Sequence, residues 1–212
     1  VAVEPASRIG RAAELCAAMG CAVRDRRPGS GSSLTGHRGD PRLAELSNAM
    51  PNEFHPTARI SNQADIEESS RGTRFVVGAD SVIDSFVKVK PTGGSGDVFL
   101  GDRVTISSGC VIYTGNGITV GNDVSVAANC TFAPVNHAYE RKDATIREQR
   151  FGPSKGGILI EDDVWIGAGC VILDGAILRK GCVIGALSLV RGEVQAYSVN
   201  VGNPLRVVGW RK

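Results

Sequence analysis

His137 lies in the run Asn136-His137-Ala138-Tyr139-Glu140-Arg141-Lys142-Asp143, where one imidazole stands among charged and hydrogen-bonding side chains. Neutral imidazole can take the proton of a hydroxyl group as that oxygen attacks a carbon, so general-base catalysis is the chemistry His137 offers. The other two histidines are poorer candidates. His37 falls in a stretch rich in Gly and Ser, and His55 lies at the faint start of a repeat. Three histidines scattered in this way do not make the ligand set of a catalytic zinc, and no metal is expected. Cys16, Cys21, Cys110, Cys130, Cys170 and Cys182 contain no C-x-x-C pair and no zinc-ligand spacing, and they read as free thiols in a reducing compartment.

The elements that must position His137 follow from composition and periodicity. With 212 residues and 42% hydrophobic content, the chain can bury a core as one domain with appendages. Its 27 Gly against three Tyr and two Trp suggest many tight turns around a narrow core. A net charge of +2 is too small to make nucleic acid or an anionic membrane the main partner. No run of about eighteen apolar residues is present, and Leu15 to Val23 lacks a signal-peptide layout, so a cytoplasmic location is expected.

From Ile160 onward an aliphatic residue recurs at every sixth position: Ile166, Ile172, Leu178, Ile184 and Val190. Four residues after the first five of these stand Val164, Cys170, Ala176, Cys182 and Ser188, all small or β-branched. A period of six fits neither an amphipathic helix nor an alternating strand, but it does fit a solenoid of short strands joined by turns. The same rule read backwards finds Val120, Val126 and Phe132, then Leu100, Ile106 and Ile112, then Val77, Ile83 and Val89, and more faintly Phe54, Ile60 and Ile66. Three such hexads per triangular coil give about six coils, a prism roughly 30 Å long at the β spacing of about 4.8 Å. Cys110, Cys130, Cys170 and Cys182 fall on the small inward site, where a thiol serves as a small hydrophobe.

The register slips after Ile66, Val89, Ile112 and Phe132, each time after a third hexad, so all four insertions should leave the prism at one corner. The last is the longest, with Phe132 and Ile160 standing 28 positions apart instead of six. A long loop in a compact solenoid is usually functional, and the segment 133–157 is expected to carry the site. Residues 1–53 read as an extension with helical segments at Ser7 to Gly20 and Asp40 to Met50, around a Gly/Ser-rich linker from Arg26 to Gly39. Residues 54–192 read as the solenoid and 193–212 as a cap over its end.

Four stretches in order carry a resemblance to a known family: Asn136 to Asp143, then Ile146-Arg147-Glu148-Gln149, then Asp163-Val164-Trp165-Ile166-Gly167-Ala168, then Gly202-Asn203-Pro204-Leu205-Arg206-Val207-Val208. Over about residues 54–208 the chain resembles the hexapeptide-repeat acyltransferases, particularly those that O-acetylate sugars of capsule, O-antigen and exopolysaccharide, and the galactoside and maltose acetyltransferases. The resemblance implies a left-handed parallel β-helix, acetyl-CoA as co-substrate, a homotrimer with sites between subunits, and His137 as the base that activates a sugar hydroxyl. By motif position it implies that Trp165, Ala168, Ala186, Arg191 and Arg206 hold the donor. At one of these the chain departs from the family, with Arg191-Gly192 where relatives often carry Thr-Lys.

Beyond residue 174 there are six basic residues against one acid, Glu193, an excess that would attract a polyphosphate. Asn136, Tyr139, Arg141, Asp143 and Glu148, with Glu140 and Arg147 beside them, are the candidates for holding a sugar acceptor. Alternatives on the same fold are N-acetylation of a nucleotide-linked amino sugar and O-acetylation of an antibiotic. A γ-type carbonic anhydrase fails because its zinc needs three convergent histidines. A non-catalytic scaffold is the reading from another class, and it predicts no turnover of acetyl-CoA.

Overall fold

A computed structural model describes residues 52–212. The helices expected at Ser7 to Gly20 and Asp40 to Met50, the linker between them, His37, Cys16 and Cys21 lie outside the described residues.

Strands of two to four residues wind into a triangular prism in which every third strand stacks in parallel register. The first face runs from Glu53–Phe54 through Val98–Leu100 and Ile158–Ile160 to Glu193–Val194. The second runs from Arg59–Ile60 through Ser125–Val126, Trp165–Ile166 and Val183–Ile184 to Ser198–Val201, and the third from Asp65–Ile66 through Thr131–Ala133 and Val171–Leu173 to Leu189–Val190. Six strands on the third face mean six complete coils of a left-handed β-helix, as the hexads require. Inward residues stack on their own kind: Ile166 lies over Val126 and under Ile184, and Ile172 over Phe132 and under Val190. Each of these is at most 2% exposed, so one continuous aliphatic column fills the prism. The interior void around Leu100, Ile106, Ile112 and Phe132 is lined only by apolar side chains, which makes the outer surface the place for a polar ligand.

The four described cysteines occupy the small inward positions. The thiols of Cys110, Cys130 and Cys170 form a ladder on successive coils and donate to the carbonyls of Ala127, Gly167 and Gly185, each at 3.2 Å. The neighbouring Cys110 thiol pushes Cys130 up to about 11, and burial pushes Cys182 up to about 12, so these stay protonated and inert at neutral pH.

The solenoid runs past residue 192. Glu193–Val194 pairs with Ile177–Leu178, and Val199 and Asn200 stack on Val183 and Ile184, adding two sides of a seventh coil. The chain then reverses, and Arg206–Trp210 pairs antiparallel with Ser198–Val201 while Leu205 packs against the core. This ends a stack that would otherwise present an open β edge on the second face.

All four insertions leave between the third and first faces, and the register across each is restored. The longest closes cleanly because Ile158 stacks on Ile118 and Ile160 on Val120. Closure needs glycine at residue 157: its φ is +75°, and a Cβ there would sit 2.5 Å from the Gly117 carbonyl oxygen.

Candidate active site

Two extended stubs form the base of the long loop. His137 bridges Phe151 in antiparallel fashion, with the Gly152 N–H donating to the Asn136 carbonyl at 2.8 Å and the Ala138 N–H to the Arg150 carbonyl at 3.1 Å. Arg150 adopts φ 59° and ψ −132°, a conformation that side-chain-bearing residues rarely take and that turns its carbonyl back toward the first stub. That carbonyl also meets His137 Nδ1 at 3.1 Å. A carbonyl only accepts, so Nδ1 carries the hydrogen and the neutral ring keeps the lone pair on Nε2. The Phe151 ring packs on the imidazole at 4.9 Å between centroids, and the imidazole itself is exposed.

The tip of the loop, residues 139–149, is ordered by its own side chains. Thr145 and Glu148 form a capping box on the single-turn helix Ile146–Gln149. The backbone N–H and hydroxyl of Thr145 hold the Glu148 carboxyl below the usual carboxylate range. Gln149 accepts from the Arg141 N–H at 3.0 Å and donates to the carbonyls of Arg141 and Ala144. Arg141 pairs with Asp143 through two hydrogen bonds, at 2.6 and 3.1 Å, and Glu140 accepts from the Tyr139 N–H.

The five acceptor candidates therefore divide. Glu148 is committed to the cap, and Arg141 and Asp143 to each other. Asn136 and Tyr139 flank His137 with exposed side chains that have no hydrogen-bonding partner among the described residues.

One residue absent from the sequence reading ties the loop down. Asp174, 5% exposed, accepts from the Lys155 N–H at 2.8 Å, the Gly157 N–H at 2.9 Å and Asn116 Nδ2 at 3.2 Å, tying the insertions of two coils to the turn of the next. A lone carboxylate in the aliphatic run Val171 to Leu178 was the signal available for it. Asp174→Asn keeps the shape but turns an N–H₂ toward backbone donors. With charge-assisted bonds worth about 1.5 to 3 kcal/mol, the return limb should loosen. Hydrogen exchange at the amides of Lys155 and Gly157 should speed up at least tenfold while amides of the inner strands keep their rates. Unchanged exchange at both positions would show that Asp174 does not anchor the loop.

The donor candidates gather elsewhere. Trp165, 54% exposed, faces outward on the second face between Ser125 and Val183. Ala168 and Ala186 are exposed on consecutive coils at the corner between the second and third faces, and neither N–H has a protein acceptor among the described residues. Arg206 pairs with Val201, which lies over Gly185, so it reaches the top of the same corner. Arg191 does not join them, because it stands where the chain leaves the third face for the first, a full side of the triangle away. The basic excess also shrinks: Arg179 is taken by Glu161 and Glu193 at 2.7 Å each, and Arg211 by Asp163 at 2.9 Å. Among the described residues Lys180, Arg191, Arg206 and Lys212 have no acidic partner.

Residues 157–192 match the family model described as bacterial transferase hexapeptide, six repeats. Those residues carry the hexapeptide repeat that the model describes. It is 25% identical over 142 residues to a putative lipopolysaccharide-biosynthesis O-acetyltransferase of Escherichia coli K12, covering 65% of this chain and 69% of that protein. It is 30% identical over 118 residues to a dTDP-4-amino-4,6-dideoxy-D-glucose acyltransferase of Escherichia coli, covering 56% of this chain and 53% of that protein. The second match thus spans about half of the relative's length. The fold is shared with an N-acyltransferase from Bacillus cereus, solved with dTDP and coenzyme A, at a TM-score of 0.62 and 19% identity over 84% of this chain and 92% of that one.

Proposed function

We propose that this chain transfers the acetyl group of acetyl-CoA to a sugar hydroxyl in cytoplasmic steps of surface-polysaccharide biosynthesis, with His137 as general base. The observation that carries the reading is the hydrogen bond from His137 Nδ1 to the Arg150 carbonyl, which leaves Nε2 as the basic nitrogen on an exposed loop. In this mechanism Nε2 takes the hydroxyl proton as the sugar oxygen attacks the thioester carbon. The tetrahedral intermediate then expels the CoA thiolate, which recovers the proton from the imidazolium. The Arg150 carbonyl serves twice: it fixes the ring's tautomer, and it stabilises the imidazolium while the proton is held. Asn136 and Tyr139 are placed to meet the acceptor, whereas Trp165, Ala168, Ala186 and Arg206 form the donor side.

In one chain these two sets occupy different corners of the prism, with the width of the third face between them. That separation supports a homotrimer in which the loop of one subunit reaches the donor corner of the next. Light scattering at micromolar concentration should return three times the chain mass. A fully active monomer would overturn the shared-site arrangement.

The activity itself is tested by supplying acetyl-CoA with a panel of sugars, amino sugars and nucleotide sugars, following thiol release and locating the acetyl group by mass spectrometry. An O-acetylated product is expected. Acetyl found only on nitrogen would transfer the assignment to amino-sugar acylation, and no turnover with any acceptor would leave a scaffold.

A further inference from the structure

Turns between the second and third faces place one residue at positive φ on each of the last five of the six complete coils: Phe86, Gly109, Asn129, Gly169 and Leu187. Gly and Asn tolerate that conformation, whereas a branched side chain such as Leu strains it. Leu187 nevertheless holds φ 59° and is 80% exposed, so burial in the chain's own core does not compensate the strain. Its side chain does not simply project outward. A Cβ added to Gly169, one coil below, would lie 2.8 Å from Leu187 Cδ2, so the isobutyl group folds down over the glycine. The Leu187 N–H donates to the Ala168 carbonyl at 2.8 Å, which locks the two turns together. Leu187 thus spreads an apolar surface directly beside the exposed amides of Ala168 and Ala186, below the end of the second face where Arg206 stands.

We infer that Leu187 is a donor-specificity residue, an apolar wall against which the aliphatic part of the pantetheine arm packs while the free amides of Ala168 and Ala186 meet its polar groups. The inference rests on the acetyl-CoA reading above and adds to it a residue whose conformation is costly to the fold. A bulky apolar side chain held exposed in a strained turn, beside two unpartnered donors, matches a ligand that alternates methylene and amide groups.

The test is Leu187→Asn, which installs the residue that Asn129 already uses at the equivalent turn, with φ 59°. Strain relief should leave Tm unchanged or raise it by about 2 to 4 °C. Coenzyme A should bind five- to tenfold more weakly by calorimetry, KM for acetyl-CoA should rise by a similar factor, and kcat at saturating donor should stay within about twofold. Donor affinity thus falls without any loss of stability, which a structural role for Leu187 would not produce. A fall in Tm alongside the loss of affinity, or a change in oligomeric mass, would make Leu187 a packing or subunit-contact residue and overturn the inference. Wild-type affinity for coenzyme A in the variant would overturn it as well. If the wild-type protein itself fails to bind coenzyme A, the acetyl-CoA reading falls and takes this inference with it.

Discussion

His137→Ala is expected to reduce kcat by a factor of about 10² to 10⁴, the usual contribution of a positioned general base. That range corresponds to about 3 to 5 kcal/mol of barrier. His137→Asn is the sharper variant, because its amide can hydrogen-bond to the Arg150 carbonyl but cannot accept a full proton. Binding of acetyl-CoA should hardly change in either, since the donor candidates lie on a different corner of the prism. The measurement is steady-state kcat beside a calorimetric Kd for coenzyme A. Retention of more than about a tenth of wild-type kcat in both variants would remove His137 from the role of base. Loss of activity together with donor affinity would mean that the substitution disturbed more than proton transfer.

The second large effect should come from removing the tip of the loop while sparing its base. Replacing residues 139–149 with a two-residue turn keeps the bridge between His137 and Phe151, the Arg150 carbonyl and the Asp174 anchor. The solenoid should fold as before, because each coil buries its own hexads and a surface loop adds little to closure entropy. If Tyr139 and its neighbours hold the acceptor, kcat/KM for the sugar should fall at least 10³-fold. Slow hydrolysis of acetyl-CoA, which needs only the base and a water, should persist. Near-normal acceptor turnover in the shortened protein would place the sugar elsewhere.

The hexads make the solenoid legible in the sequence. A side chain every sixth position can point inward only if the chain turns a corner after each short strand, and Ile160, Ile166 and Ile172 stack where that rule puts them. The cysteines were equally readable, because a position limited to small inward side chains buries a thiol whatever its chemistry elsewhere. The end of the solenoid was less legible. Val194 and Asn200 continue the coil after the turn at Gly192 has shortened the repeat, and a strict six-residue period passes over them.

Within the candidate site, the imidazole was legible in the sequence and the contacts that hold it were not. His137 stood out as an imidazole in a polar insertion, but its partner is a backbone carbonyl, and every residue has one. Only the unusual conformation of Arg150 singles that carbonyl out. Glu148 illustrates the converse: a carboxylate near a catalytic candidate looks available to a sugar until the capping box takes it. Arg179 and Arg211 likewise counted toward a phosphate-attracting excess until ion pairs with acids on other coils accounted for them.

The sequence by itself determined the period, the number of complete coils, the corner from which the long loop leaves and the imidazole that the loop carries. These are local quantities, set by which side chains can be buried at each sixth position. Only the tertiary structure decided which groups stand next to one another across coils: Asp174 with Lys155 and Gly157, Leu187 with Gly169, and Val201, the strand partner of Arg206, with Gly185. Those neighbours are separated in sequence by about one coil, and stacking at the β spacing brings them together without leaving a mark in either segment.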